Sequence, residues 1–311
     1  MLFFDEILQN QKVFIVDGAL GTELERRGFD IKDPLWSAKY LMHNSLAICE
    51  IHRDYLEAGA DCITSASYQA SFEGFMKRGM KEEEAKALIQ SAVKIAIEVR
   101  DTFWENEANR LNRIKPFVAA SVGPYGAYLA DGSEFRGNYG LSEEALINFH
   151  RKRMCTLIEA KPDLIAFETI PCFIEAKAYV KLLAEFPQTQ AWISFSAKDG
   201  QHINSGEKIA TCASWLDEQE QILAIGINCT QPQYIVSLIS EIRAVSRKPI
   251  IVYPNGGAQY DGVSKLWSSE STLSTYGDMA RMWYENGATI IGGCCQTTPK
   301  DIEQIAKWVR A

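Results

Sequence analysis

The chain has 311 residues, 47% of them apolar and 23% charged, a globular composition with ample material for a large core. A net charge of −8 and a pI near 5.2, with no basic cluster, argue against a nucleic-acid partner. The opening Met-Leu-Phe-Phe-Asp-Glu-Ile-Leu has no basic region, and no apolar run approaches the ~18 residues of a membrane span. The chain is therefore expected to be cytoplasmic, without a membrane partner. Its eight cysteines are then expected to be reduced thiols, core residues or metal ligands rather than disulfides. The sequon Asn228-Cys-Thr has no meaning in that compartment.

In chain order, short apolar runs alternate with longer amphipathic segments. Residues 13–17 read as a first strand, followed by a long connection over 18–44 and a helix over 45–58 that stops at Gly59. Residues 61–66 form the second strand, and 82–107 a long polar-faced helix. A third strand at 117–121 leads into a second long connection, 122–141. Ser142, followed by Glu143 and Glu144, marks the start of the next helix. Strands at 164–168, 191–196, 222–227, 250–253 and 289–292 follow. Thr298-Pro299-Lys300-Asp301 supplies a cap, an N1 proline and an N3 acid for a last helix running through Arg310. Eight strands alternating with helices imply parallel pairing with right-handed crossovers. At this length a closed (β/α)8 barrel of the TIM type, one domain over 1–311, fits better than an open sheet.

In such a barrel the C-terminal strand ends surround one mouth, where Asp17, Glu168, Cys229 and the pair Cys294-Cys295 all fall. Adjacent thiols are of little use in packing but can converge on one soft cation. Three thiolates with one open position describe a zinc site able to bind and activate a substrate. Two other readings compete with it. Gly292-Gly293 and Gly256-Gly257 could cradle phosphate in a barrel lyase or isomerase, and the thiols could serve a metal store or redox sensor. Cys49, Cys62, Cys155 and Cys212 read as core residues, and Cys172 as a pocket-wall candidate rather than a ligand.

Asp17-Gly-Ala-Leu-Gly-Thr-Glu, Gly226-Ile-Asn-Cys229-Thr and Gly292-Gly-Cys-Cys-Gln-Thr-Thr-Pro together resemble the homocysteine S-methyltransferase family, in order and over nearly the whole chain. The resemblance implies transfer of a methyl group to homocysteine, giving methionine, with Zn2+ held by Cys229, Cys294 and Cys295. It implies small-molecule partners, homocysteine and a sulfonium donor, and leaves open whether the chain is a monomer or a homo-oligomer. The compact length is similar to the members that use S-methylmethionine or S-adenosylmethionine; betaine-dependent relatives, the alternative, carry a longer C-terminal region. Glu168 resembles the acid that receives the substrate ammonium, with Asp17 a second candidate. Ser65, Ser67 and the backbone N–H groups around Gly18–Gly21 are candidates for the carboxylate. Asn228 is expected to orient the Cys229 loop, and Trp36, with Tyr68 and Phe72 as further possibilities, to face the sulfonium. No general base is required for such a donor, which fits the lack of a catalytic histidine.

Overall fold

The computed structural model describes residues 2–256, 259–261, 266–268 and 275–311. Eight parallel strands form one sheet: β1 Phe14–Ile15, β2 Cys62–Thr64, β3 Phe117–Val122, β4 Leu164–Ile170, β5 Ala191–Phe195, β6 Ile222–Asn228, β7 Ile250–Tyr253 and β8 Ala288–Ile291. The hydrogen-bonded order is β1-β8-β7-β6-β5-β4-β3-β2, and a parallel bridge between Val16 and Cys62 joins the two ends. The result is the expected (β/α)8 barrel. A small antiparallel hairpin, Gln259–Asp261 with Leu266–Ser268, lies in the connection after β7.

The helices form where their caps and apolar faces dictate. Helix Ser45–Ala58 starts with the Asn44 side chain accepting from Ala47 N–H. Helix Glu143–Glu159 is capped by Ser142, and helix Pro299–Val309 by the reciprocal Thr298–Asp301 pair anticipated from sequence. The long helix ends at Glu105, two residues earlier than expected, and a short 3-10 turn follows. Several helices were not anticipated: Leu2–Asn10 brings Phe4 against Phe14, with ring centroids 5.2 Å apart, while Leu20–Arg26, Tyr40–His43 and Tyr125–Leu129 form within stretches expected to be connections.

Strand periodicity builds two cores and the site above one of them. Alternate residues of a strand face opposite ways. Ile15, Ile63, Val118, Ile165, Ile193, Ile225 and Val252 pack outward against the helices. Phe14, Val16, Cys62, Ala119, Leu164, Ala166, Trp192, Ala224, Ile251 and Ile290 fill the barrel interior. Continuing the inward series towards the C-terminal ends changes its chemistry: Thr64, Ser121, Glu168, Ser194, Asn228 and Tyr253 follow. An apolar plug thus carries a polar ring on its upper side, where barrel enzymes place their chemistry.

Candidate active site

The ring opens into a cavity of about 250 Å³ walled by strand ends and by the connections after β1 and β3. Asp17, Glu168, Cys229, Cys294, Cys295, Ser65, Asn228 and Trp36 all line it. So do Tyr68 and the segment Gly18–Gly21, where Ala19 N–H already donates to Thr297 Oγ1 at 3.2 Å.

The three thiols meet. Their Sγ atoms lie within 4.8 Å of one another, and Cys229 Sγ is 3.7 Å from Cys295 Sγ. Four ligands at the usual zinc–sulfur distance of about 2.3 Å, tetrahedrally disposed, have sulfur–sulfur edges of about 3.8 Å. The donor set therefore fits a soft tetrahedral metal. Backbone bonds hold the thiol-bearing loops in place: Cys229 N–H donates to Tyr253 O, Cys294 N–H to Pro254 O, and Gly256 N–H to Cys295 O. Hydrogen bonds from the Cys229 and Cys294 thiols push Cys295 well below the ordinary thiol range. Its own hydrogen bonds to Cys294 and Cys295, together with burial, push Cys229 up.

Two buried carboxyl groups face the same space. Asp17 accepts from Thr64 N–H at 2.8 Å and from Thr64 Oγ1 at 3.1 Å. Burial nevertheless holds it well above the usual carboxylate range, and the nearby Glu168 charge adds to this. Glu168 accepts from the Ser121 hydroxyl and from Tyr253, yet burial pushes it up to about 7. Two acids whose ionised forms are this disfavoured gain most when a cation enters between them.

Asn228, at the end of β6, ties the ends of β4 and β5 to its own strand. Its Oδ1 accepts from Thr169 N–H at 2.6 Å and from Ser194 Oγ at 2.9 Å, while its Nδ2 donates to Thr169 Oγ1 at 2.7 Å. Trp36 lies edge-on to Tyr68, with centroids 6.0 Å apart. A Cβ on Gly21 would sit 2.2 Å from the Trp36 ring, so this motif glycine is what lets the indole lie against the loop.

Other sequence expectations land elsewhere. Ser67 is off the cavity wall: the turn after β2 carries it inward, where it donates to Ser121 O at 2.7 Å and bonds Ser65 Oγ at 2.7 Å. Phe72 starts a short helix and is buried in the outer core, with Lys152 Nζ 4.4 Å from its ring centroid. Cys172 is buried 3.9 Å from Glu175 and does not line the cavity. Gly292, Gly293 and Gly256 have no N–H to spare for a phosphate, since these donate to the carbonyls of Val252, Asp17 and Cys295; Gly257 lies outside the described residues. Thr64, Ser121 and Tyr253 were not singled out from sequence. Their signal was there, since each sits two positions after an inward apolar residue.

A thiol triad able to hold a metal, set beside paired acids at the mouth of a (β/α)8 barrel, defines an enzyme site for a small, amine-bearing sulfur compound. Residues 14–309 match the family described as homocysteine S-methyltransferase. The chain is 58% identical over 305 residues to homocysteine S-methyltransferase YbgG of Bacillus subtilis, covering 98% of this chain and 97% of that protein. It is 43% identical to a selenocysteine methyltransferase of Astragalus bisulcatus, covering 98% and 95%. The crystal structure of the homocysteine methyltransferase MmuM from Escherichia coli, metallated form, superposes with a TM-score of 0.87 at 39% identity, covering 97% of this chain and 98% of that one. The chain belongs to the homocysteine S-methyltransferase family. Among the described residues, no helix is long and apolar enough to cross a membrane.

Proposed function

We propose that this chain, acting as one domain in the cytoplasm, transfers a methyl group from a sulfonium donor to L-homocysteine, giving methionine. S-methylmethionine is the first candidate donor and S-adenosylmethionine the second. The observation that carries this reading is the sulfur spacing, 3.7 Å between Cys229 and Cys295, inside a cavity shared with two buried acids. Zinc held by Cys229, Cys294 and Cys295 would take homocysteine sulfur at its open position and keep it an anionic nucleophile at neutral pH.

The remaining work falls to the protein's own groups. Glu168 and Asp17 receive the homocysteine ammonium, which relieves their burial, and Ser121, Tyr253 and Thr64 aim the two carboxylates. Ser65 takes the substrate carboxylate, with Ser67 fixing its hydroxyl from behind. Asn228 holds the Cys229 loop, and Trp36 walls the donor side. In the transfer, a sulfur lone pair of homocysteine forms the new carbon–sulfur bond as the donor's methyl–sulfur bond breaks. Its electron pair stays on the donor sulfur, which leaves as a neutral thioether. The thiol proton goes to solvent when the thiolate forms. Alignment of the two sulfurs and the methyl carbon is the main catalytic requirement.

Two measurements test this together. Offered homocysteine with S-methylmethionine, S-adenosylmethionine or betaine, the enzyme should form methionine fastest from S-methylmethionine; preference for betaine would replace the donor assignment. Cys295→Ser should lose bound zinc and turnover together while its circular dichroism is retained. Stoichiometric zinc and normal turnover in that variant would falsify the ligand assignment.

A further inference from the structure

Behind the cavity wall, Thr297 joins the two loops that carry opposite ends of the site. Asp17 stands at the start of the loop after β1, and Cys294 and Cys295 stand on the loop after β8. Thr297 is buried and does not line the cavity. Its hydroxyl donates to Cys294 O at 2.6 Å and accepts from Ala19 N–H at 3.2 Å. Other bonds run across the same seam. Gly293 N–H donates to Asp17 O at 3.0 Å, and Gln296 N–H to Thr22 Oγ1 at 2.9 Å. The buried Tyr55 hydroxyl, from helix Ser45–Ala58, lies 2.9 Å from Ala19 O and 3.3 Å from Thr297 O. Two motif glycines make room for the seam: a Cβ on Gly293 would sit 2.3 Å from Thr297 Oγ1, and one on Gly18 2.9 Å from the same atom.

Such a seam fixes a length. An amino acid whose sulfur is held beside the thiols and whose ammonium is held at Asp17 must span the separation between the two loops. Thr64 aims the Asp17 carboxyl, but the Asp17 backbone is tied to the thiol loop itself. Cysteine is shorter than homocysteine by one carbon–carbon bond, about 1.5 Å. A misplacement of about 1 Å can cost on the order of 100-fold. Loops that cannot slide past each other therefore reject the shorter acceptor, whereas loops that can slide do not.

Resting on the methyl-transfer reading above, we propose that Thr297, backed by Tyr55, is the positioning residue that sets acceptor chain length. It holds the Asp17 loop and the thiol loop at the separation that homocysteine spans and cysteine does not.

The test compares Thr297→Val, which keeps the shape and removes both hydroxyl bonds, with Thr297→Ser, which keeps the hydroxyl. Zinc-loaded wild type and both variants are titrated without donor, using homocysteine and then cysteine in competition with it, and bound zinc is counted alongside. Wild type should favour homocysteine by roughly 100-fold, within the range one methylene can supply. Thr297→Val should keep stoichiometric zinc, bind homocysteine about tenfold more weakly and bind cysteine nearly as before, so that the preference shrinks about tenfold. Thr297→Ser should restore the wild-type preference. Equal weakening of both acceptors would make Thr297 a purely structural residue and overturn the proposal. Loss of zinc from Thr297→Val, an unchanged preference, or a wild type that does not discriminate would overturn it too. If Thr297→Val does not fold, Tyr55→Phe, which removes one bond of the seam, must narrow the preference in the same sense, and a wild-type preference in that variant is the overturning result. A wild type that binds neither acceptor at its zinc would refute the underlying methyl-transfer reading before any variant is compared.

Discussion

Thr169 and Cys229 hold φ angles of +59° and +47°, a region that β-branched side chains in particular avoid. Of the eight non-glycine residues with positive φ among those described, Trp36, Ala130, Thr169 and Cys229 line the cavity, so backbone strain is concentrated where the chemistry is. Each costs on the order of 1–3 kcal/mol and persists only if its surroundings enforce it. At Thr169 the enforcement is a reciprocal pair of hydrogen bonds, Thr169 N–H donating to Asn228 Oδ1 and Asn228 Nδ2 donating to Thr169 Oγ1. Elsewhere, single residues trade stability against pH. His52 is buried in helix Ser45–Ala58, and neither ring nitrogen has a partner among the described residues. Burial pushes it down to about 4 from an ordinary 6.5. The unfolded chain takes up the proton near 6.5 and the folded chain only near 4, so stability is intact above that window and lost as pH falls through it. The full difference is worth about 3 kcal/mol. His52→Leu should flatten the decline in thermal midpoint between about pH 7 and about pH 5; parallel slopes for variant and wild type would dismiss the argument.

At the scale of elements, β6 does most to place the site, since Asn228 and Cys229 both stand at its end. It approaches β7 unusually closely at Gly226, which pairs with Ile251. A Cβ there would lie 1.6 Å from the Ile251 carbonyl oxygen, so no side-chain rotation relieves the clash. Gly226→Ala must push the two strands apart, at a cost of roughly 3 kcal/mol or more. It should lower the unfolding midpoint and, because Cys229 N–H bonds Tyr253 O on β7, weaken metal retention at temperatures where the barrel is still folded. An alanine variant with wild-type stability would mean that the strands separate more freely than this contact allows. Elements also mark where sequence reading ran short. Helix Leu2–Asn10 has a short, mixed apolar pattern that makes sense only once Phe14 is known to face inward.

For the molecule as a whole, the barrel and the thiol triad were legible because both rest on local signals: short β-branched runs spaced by capped helices, and cysteines at run ends. The polar ring was harder to read. Ser121, Thr64 and Tyr253 look like ordinary strand residues, and only closure of β1 onto β2 through Val16 and Cys62 makes them neighbours. Ser67 and Phe72 were misplaced for a related reason. Side-chain direction after a strand depends on a turn, here closed by Ser67 N–H to Ser65 O, and spacing does not encode it.

Among the described residues, the cavity wall has a lopsided charge inventory: Asp17, Glu25, Asp33, Asp131, Glu134 and Glu168 against Lys32, on a chain of net charge −8. Such a mouth acts at a distance, before any contact is made. It draws a cationic molecule from solution and leaves a zwitterion such as homocysteine nearly indifferent. Added salt should then lower kcat/KM for S-methylmethionine several-fold beyond an ionic strength of about 0.1 M, where the screening length is about 10 Å, and change the homocysteine value little. Stopped-flow or steady-state rates across a salt series would read this directly, and equal salt dependence for both substrates would mean the field does not steer. On this account the two substrates arrive by different physics: one is gathered by the field of the whole molecule, the other only by the groups it touches.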